Sequence, residues 1–467
     1  MDEKDRLFAG FARVAINPGP GTGLEGYYIE RRCEGVLDDI EVNAAAFGSG
    51  STSAVLLAAD LCLIKQKYCD VLRKEVASAA GLPSGSVIIS CTHTHTSPIV
   101  STDPSQSEET RAYFPLLRDR LVQAAKEALS SMLPVSSAGY RTGSVPGISH
   151  CRRIRMRDGS ILTNPGTGNP DAVCEVTKPD SRVGVLRLDR EGGDTLIFAG
   201  YGNHPDSIGG CKVSADYPGF FRRTFERAVP GTKCVYINGA EGDINFIDVW
   251  AKGGDLNDTF RDFDDVFRGY GHSMYIGESI AGAVLQVFRK VNRFEPAGLG
   301  LYEKVVQLPA NVPTAAEAEE AHRICAIHRA GRDAELPYSG MMLTTVVAEA
   351  ERMVRLEHGP DTVPARVCAL TVGPAVIVGI AGEPFTGVGE ALKETPGFEF
   401  VMPAVNTNGS EGYFPMMSAY EEGGYEARSS TFRPGTAEFL VDECRGVMKE
   451  AADRLKADDL SQKDIQP

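Results

Sequence analysis

Several apolar runs in this sequence end in residues that bind metals or move protons. CTHTHTSP (91–98) follows the short apolar run SVIIS, and its His93 and His95 stand two apart, so extended chain turns both imidazoles to one side. Neutral imidazole is a common ligand for zinc and similar ions near pH 7, although two such residues also serve as hydrogen-bonded polar groups at a strand end. YGNHPDSIGG (201–210) places His204 at the end of another apolar run, with Pro205 behind it. AGEPFTG (381–387) places Glu383 just beyond a third, where a carboxylate is a ligand, a general base or a charge at a helix start. The chain has only 8 histidines, so three at strand ends favour a shared site.

Three further segments carry chemistry of a less specific kind. NGSEGYFPMMSAYEEGGYEARSS (408–430) holds Tyr413, Tyr420 and Tyr425 among glycines: either a packed aromatic loop or a source of a phenol ligand. SHCRRIRMRDGSILTNPG (149–166) holds Arg152, Arg153, Arg155 and Arg157. Strand alternation would put Arg152 on one face and the other three on the opposite face, as a solvated edge or as an anion clamp. INGAEGDINFID (237–248) ends a strand in a glycine-containing loop with Asp243 and Asn245, a setting in which backbone N–H groups approach a ligand.

The elements that position these residues read as alternating strand and helix. Strands are expected at 53–61, 86–90, 183–188, 195–201, 233–237, 366–370 and 375–380. Helices are expected at 64–80, 111–132, 220–228, 271–291, 315–330, 341–358 and 436–455, with another following Glu383. The pattern predicts an α/β fold with a mixed central β-sheet covered by helices, since some neighbouring strands are joined by short turns. Residues 143–180, rich in Gly, Pro, Asn and Arg, form a long irregular excursion within one large domain rather than a boundary. The expected division is a catalytic domain at 1–455 and a polar tail at 456–467.

With 467 residues there is ample chain for a sizeable core. Lys plus Arg number 48 against 63 Asp plus Glu, a net charge of −15 that argues against nucleic-acid or anionic-lipid partners. The polar start MDEKDRLFAG lacks the features of an export signal, and the run at 367–382 falls short of the ~20 residues of a membrane span. That run reads as two buried strands joined by a turn. The 11 cysteines are scattered without a CxxC pair, which suits buried free thiols in a reducing cytoplasm.

Taken in order, THTHTSP, NHPDS with SADYPG, GDIN, GEPF and GYFP…AY…GGYEARSS resemble the catalytic N-terminal domain of the neutral (non-lysosomal) ceramidases. The resemblance runs from FAGFARVAINP to FRPGTAEF, most of the chain. It implies a zinc ion held by His93, His204, Glu383 and Tyr413, with His95 beside the metal as proton donor or oxyanion partner. It maps an oxyanion-binding arginine to Arg152, with Arg153 adjacent, although Cys151 replaces the asparagine that precedes it in the family. It further implies a metal-activated water attacking an amide carbonyl.

Two departures redirect the substrate. Asn245 stands where ceramide-cleaving members carry a serine, so no mechanism through that nucleophile applies here. No counterpart of the C-terminal β-sandwich of those enzymes is expected, and no amphipathic basic helix is evident for docking on bilayers. The expectation is therefore a zinc-dependent amidohydrolase acting on a small soluble molecule rather than ceramide. Nucleic acid and stable membrane association are not expected, and self-association as a homo-oligomer is left open. An ester or lactone hydrolase on the same metal site and a non-catalytic, metal-stabilised binding protein are the alternatives.

Overall fold

The computed structural model describes residues 6–251, 259–261 and 267–463, without side chains for 259–261, 267–268 and 456–463. Its principal strands are β1 (Phe8–Ala15), β2 (Glu41–Ser49), β3 (Thr52–Ala59), β4 (Val87–Cys91), β5 (Leu133–Ser144), β6 (Arg182–Arg190), β7 (Thr195–Tyr201), β8 (Thr232–Asn238), β9 (Leu299–Pro309), β10 (Thr362–Val372), β11 (Ala375–Ile380) and β12 (Phe400–Ala404). The longer helices are α1 (Gln66–Ala80), α2 (Glu108–Ser130), α3 (Asp216–Ala228), α4 (Tyr270–Val287), α5 (Ala315–Arg329), α6 (Gly340–Leu356), α7 (Thr386–Lys393) and α8 (Thr436–Lys463). The last helix continues past 455, where a tail was expected to begin.

The large sheet is mixed and runs β8-β7-β6-β5-β1-β2-β3-β4, with Asn292–Phe294 pairing against β5. A smaller sheet, β9-β10-β11-β12, lies against it. Strand alternation sorts side chains between layers: Ala54, Leu56 and Ala58 face the second sheet, while Val55, Leu57 and Ala59 face α1 and α2. Likewise Leu196 and Phe198 point between the sheets, and Ile197, Ala199 and Tyr201 point toward α3 and α4. Outside the second sheet, Val376, Val378 and Ile380 pack against α7 and α8. The result is four layers, helix–sheet–sheet–helix. Strands buried on both faces explain the unbroken apolar runs in the sequence.

The α/β class and the mixed sheet are as expected; the second stacked sheet is an addition. The run at 367–382 is indeed a strand pair, antiparallel across a Gly373–Pro374 turn. Among the described residues, no helix is long and apolar enough to cross a membrane. All 11 cysteines are free, and all but Cys174 and Cys211 are buried.

Among the principal strands, three pairs are parallel: β3/β4, β7/β8 and β11/β12. The carboxyl ends of parallel strands are where open α/β sheets collect reactive groups. Here one loop after β12 ties these ends together. Val405 N donates to Asn238 O (3.0 Å) at the end of β8. Asn406 O accepts from Cys91 N (3.2 Å) at the end of β4, and Thr407 N donates to Ile380 O (2.9 Å) at the end of β11. The two edges of the large sheet thus meet under a single stitch. Asn406 and Asn408 adopt φ of 46° and 58°, left-handed values that asparagine tolerates better than most residues.

Candidate functional site

His93 leaves the end of β4 with φ 74°, a strained turn for a non-glycine residue. Its Nδ1 lies 2.8 Å from Cys62 O, and the Asn406 side-chain amide is 3.1 Å from the same nitrogen. A carbonyl only accepts, so the shorter contact, to Cys62 O, puts the proton on Nδ1 and leaves a lone pair on Nε2. His204, at the end of β7, is fixed in the same way: its Nδ1 lies 3.2 Å from Glu241 O and 3.1 Å from Ile244 O. The two Nε2 atoms face each other at 3.1 Å. Glu383 Oε2 lies 3.5 Å from His93 Nε2 and 3.7 Å from His204 Nε2.

Two lone pairs directed at each other at this distance repel unless something positive lies between them. A proton on His93 is one solution. Burial opposes it, but Cys62 and Glu383 outweigh burial and hold His93 well above the ordinary imidazole value. His204 is pushed well below it, by burial and then by Arg152 and its histidine neighbours. A divalent cation is the other solution, and the donor set fits one. Two oriented imidazoles and a buried carboxylate converge, and Oε2 of Glu383 has no hydrogen-bond partner among the described residues. Burial opposes charge on Glu383, yet His93 beside it keeps its pKa below the usual range.

Tyr413 sits in register with Glu383, because the short strands Glu383–Pro384 and Tyr413–Phe414 pair in parallel. Its ring faces the Arg152 guanidinium at 5.3 Å and meets the Tyr425 ring at 5.6 Å. Burial, followed by the charge of Glu383, lifts the Tyr413 phenol well above its ordinary pKa.

His95 joins the cluster from the side, with Nε2 3.3 Å from His93 Nε2 and Nδ1 3.7 Å from Asp206 Oδ1. Tyr27 donates its hydroxyl proton to Asp206 and packs edge-on against the His95 ring. Gly26 in the same segment has φ 109°, and a Cβ there would stand 2.8 Å from His95 Cγ, so only glycine lets this strap close over the imidazole. Burial holds the His95 pKa down at about 3.

Arg152 and Arg153 part company. Arg152 Nε is 2.6 Å from Glu426 Oε1, and Nη2 donates to Gly242 O at 2.8 Å. Burial works against its charge, but Tyr413 and Glu426 more than restore it. Arg153 turns to Glu422 (3.0 Å) and stacks over Phe385, whereas Arg155 and Arg157 face outward. Asn245 is buried, its Nδ2 donating to Asn164 Oδ1 (2.9 Å) and its Oδ1 accepting from Ile247 N (3.0 Å). Asn164 and Tyr425 in turn line a cavity of about 320 Å³, shared with Leu162, Met341, Met342 and Arg428.

Across 97% of this chain and 75% of the other, the structure matches the neutral ceramidase from Pseudomonas aeruginosa with a TM-score of 0.69 at 16% identity. A ceramidase complexed with C2 matches at a TM-score of 0.70 and 15% identity, over 97% of this chain and 76% of that one. The chain has the neutral ceramidase fold. No family model and no curated protein sequence matches it. The ordered motifs therefore pointed to the neutral ceramidase architecture at a level of identity where fold, not activity, is what the likeness carries.

Sequence reasoning passed over several residues that shape the site. The Cys62 carbonyl, the loop 405–408, Glu426 and Glu241 are all unremarkable in sequence; only GDIN and GGYEARSS, which adjoin Glu241 and contain Glu426, hinted at them.

Proposed function

We propose that this chain is a metal-dependent hydrolase that cleaves an amide bond in a small molecule, with zinc as its ion. The observation that carries this reading is the convergence of His93 Nε2, His204 Nε2 and Glu383 Oε2, each buried, with both imidazoles locked into the tautomer that offers Nε2. These three residues and Tyr413 would hold the ion. When bound, it supplies Lewis acidity and a water acidic enough to act near neutral pH.

The chain's own residues do the rest. Arg152, permanently charged and anchored by Glu426, offers a fixed positive field beside Tyr413 for a developing oxyanion. His95 is kept neutral by burial, and Asp206 and the Tyr27 strap hold its ring in place, so Nε2 is placed to exchange a proton with the leaving amine. Asn245 braces Asn164, one wall of the cavity next to Tyr425. At about 320 Å³ that cavity lies at the small end of the roughly 300–1,000 Å³ typical of ligand pockets, room for a compact group beside Tyr425. The free thiols support placing the enzyme in a reducing, cytoplasmic setting.

The test is metal analysis of purified protein together with a panel of N-acyl amides, esters and lactones. One ion per chain, lost in His204→Ala along with amide turnover, supports the reading. Full turnover in metal-free protein would refute it, and turnover of esters alone would move the reaction to another bond.

A further inference from the structure

The turn after β8 carries two carboxylates two residues apart that are treated differently. Asp243 is satisfied: it accepts from Thr177 Oγ1 (3.0 Å), Thr386 N (2.8 Å) and Thr386 Oγ1 (2.9 Å). Glu241 is also 0% exposed, yet neither of its oxygens has a hydrogen-bond partner among the described residues. A buried carboxyl left unmatched is unfavourable, so such a group calls for a positive partner.

Its surroundings say where that partner lies. The Glu241 backbone carbonyl is one of the two that orient His204. The next residue, Gly242, donates its N–H to Pro384 O at 3.0 Å, and a Cβ there would come within 2.5 Å of Glu383 O. The turn bearing Glu241 is thus pressed against the turn bearing Glu383. Glu383 and Arg152 are the charges that Glu241 feels most strongly. Arg152 is already engaged by Glu426 and the Gly242 carbonyl.

We infer that Glu241 is a second carboxylate of the metal centre, a positioning residue that supplies negative charge to a divalent cation held by His93, His204 and Glu383. The inference rests on the metal reading above. A divalent ion carries two charges and Glu383 matches one; Glu241 matches the other at a site with little water to screen it. Its effect is on cation affinity, not on the identity of the ligands.

The experiment is calorimetric titration of Zn2+ into metal-free wild type, Glu241→Gln, Glu241→Leu and Glu383→Gln, with thermal unfolding of each metal-free protein. Wild type should take up one equivalent, both Glu241 variants should bind one equivalent at least tenfold more weakly, and Glu383→Gln should lose binding. Because the substitutions remove an unmatched buried carboxyl, both metal-free Glu241 variants should melt at or above the wild-type temperature. A Glu241→Gln affinity within twofold of wild type, or Glu241 variants that are less stable or unfolded without metal, would overturn the inference. Failure of wild type to bind any ion would instead overturn the metal reading beneath it.

Discussion

Asp60, just past β3, and Glu241, just past β8, are both wholly buried acids at strand ends, and each has an arginine in its surroundings. Asp60 takes Arg222 Nη1 and Nη2 at 2.9 and 2.6 Å, the Glu41 N–H at 2.9 Å and the Thr92 hydroxyl at 3.3 Å. Every lone pair it directs inward is used. Among the described residues, Glu241 takes none, and Glu383 beside it leaves Oε2 without a hydrogen bond. The same burial therefore has two outcomes. Around Asp60 the chain supplies its own cation and builds a rigid brace that pins α3 to the residue preceding His93. Around Glu383 and Glu241 it supplies oriented imidazoles instead, a set suited to a cation from outside. Satisfied acids hold the frame; the unsatisfied ones lie where the proposed ion would bind.

That contrast can be broken most forcefully at the brace. Asp60→Ala leaves the buried Arg222 with only the longer Glu41 contact (3.4 Å), and its expected cost is about 3 kcal/mol in urea unfolding. A loss below about 1 kcal/mol would show that the pair is not holding the frame. His204→Ala should do the reverse. Stability without metal should change little, whereas amide hydrolysis should fall by about three powers of ten and bound metal should disappear. Retained metal in that variant would place the ion elsewhere.

A smaller effect is expected where α7, the helix that follows Glu383, is clamped to the large sheet. Asp180 bonds Arg182 (2.8 Å) and Lys393 (2.9 Å). Burial raises its pKa, but Arg182 and Lys393 outweigh burial and bring it down to about 2 from 3.8. A depressed acid stabilises the fold above its unfolded pKa and loses that contribution as the pH falls through the folded value. Allowing for partial exposure, Asp180→Asn should cost about 1–2 kcal/mol at pH 7, with the difference from wild type shrinking between about pH 4 and pH 2. A penalty that stays constant over that range would contradict the charge argument. Smallest of all, Thr314→Ala removes the capping box of α5, a helix that supplies no residue to the His93–His204–Glu383 cluster. It should cost about 1 kcal/mol while leaving metal content and turnover unchanged. Any loss of metal in this variant would mean that the α5–α6 hairpin is coupled to the site.

Much of the frame was legible because both faces of its strands are buried. SVIIS and the runs at 195–201, 233–237 and 375–380 announce themselves as apolar, and each ends where a chemical residue begins. β2 was not legible: EVNAAAFGS is rich in alanine, which signals no strand, and it becomes one only by lying between β1 and β3. The stacking of a second sheet leaves no local mark, since inter-sheet and sheet–helix faces use the same residues. At the site, His93, His204 and Glu383 were visible as residue types at strand ends. Their tautomers were not, because these depend on carbonyls of Cys62, Glu241 and Ile244 that any residue could offer. Glu241 itself looks like an ordinary loop acid until its burial and lack of partners are seen.

The central claim is that His93, His204 and Glu383 share one divalent ion. It is tested most directly by anomalous X-ray scattering at the zinc edge from crystals of the metal-loaded protein. The account predicts one strong peak within about 2.0–2.2 Å of His93 Nε2, His204 Nε2 and a Glu383 carboxylate oxygen. Crystals from zinc-containing solution with no peak there, or with the ion bound elsewhere while the three side chains keep their present contacts, would contradict it.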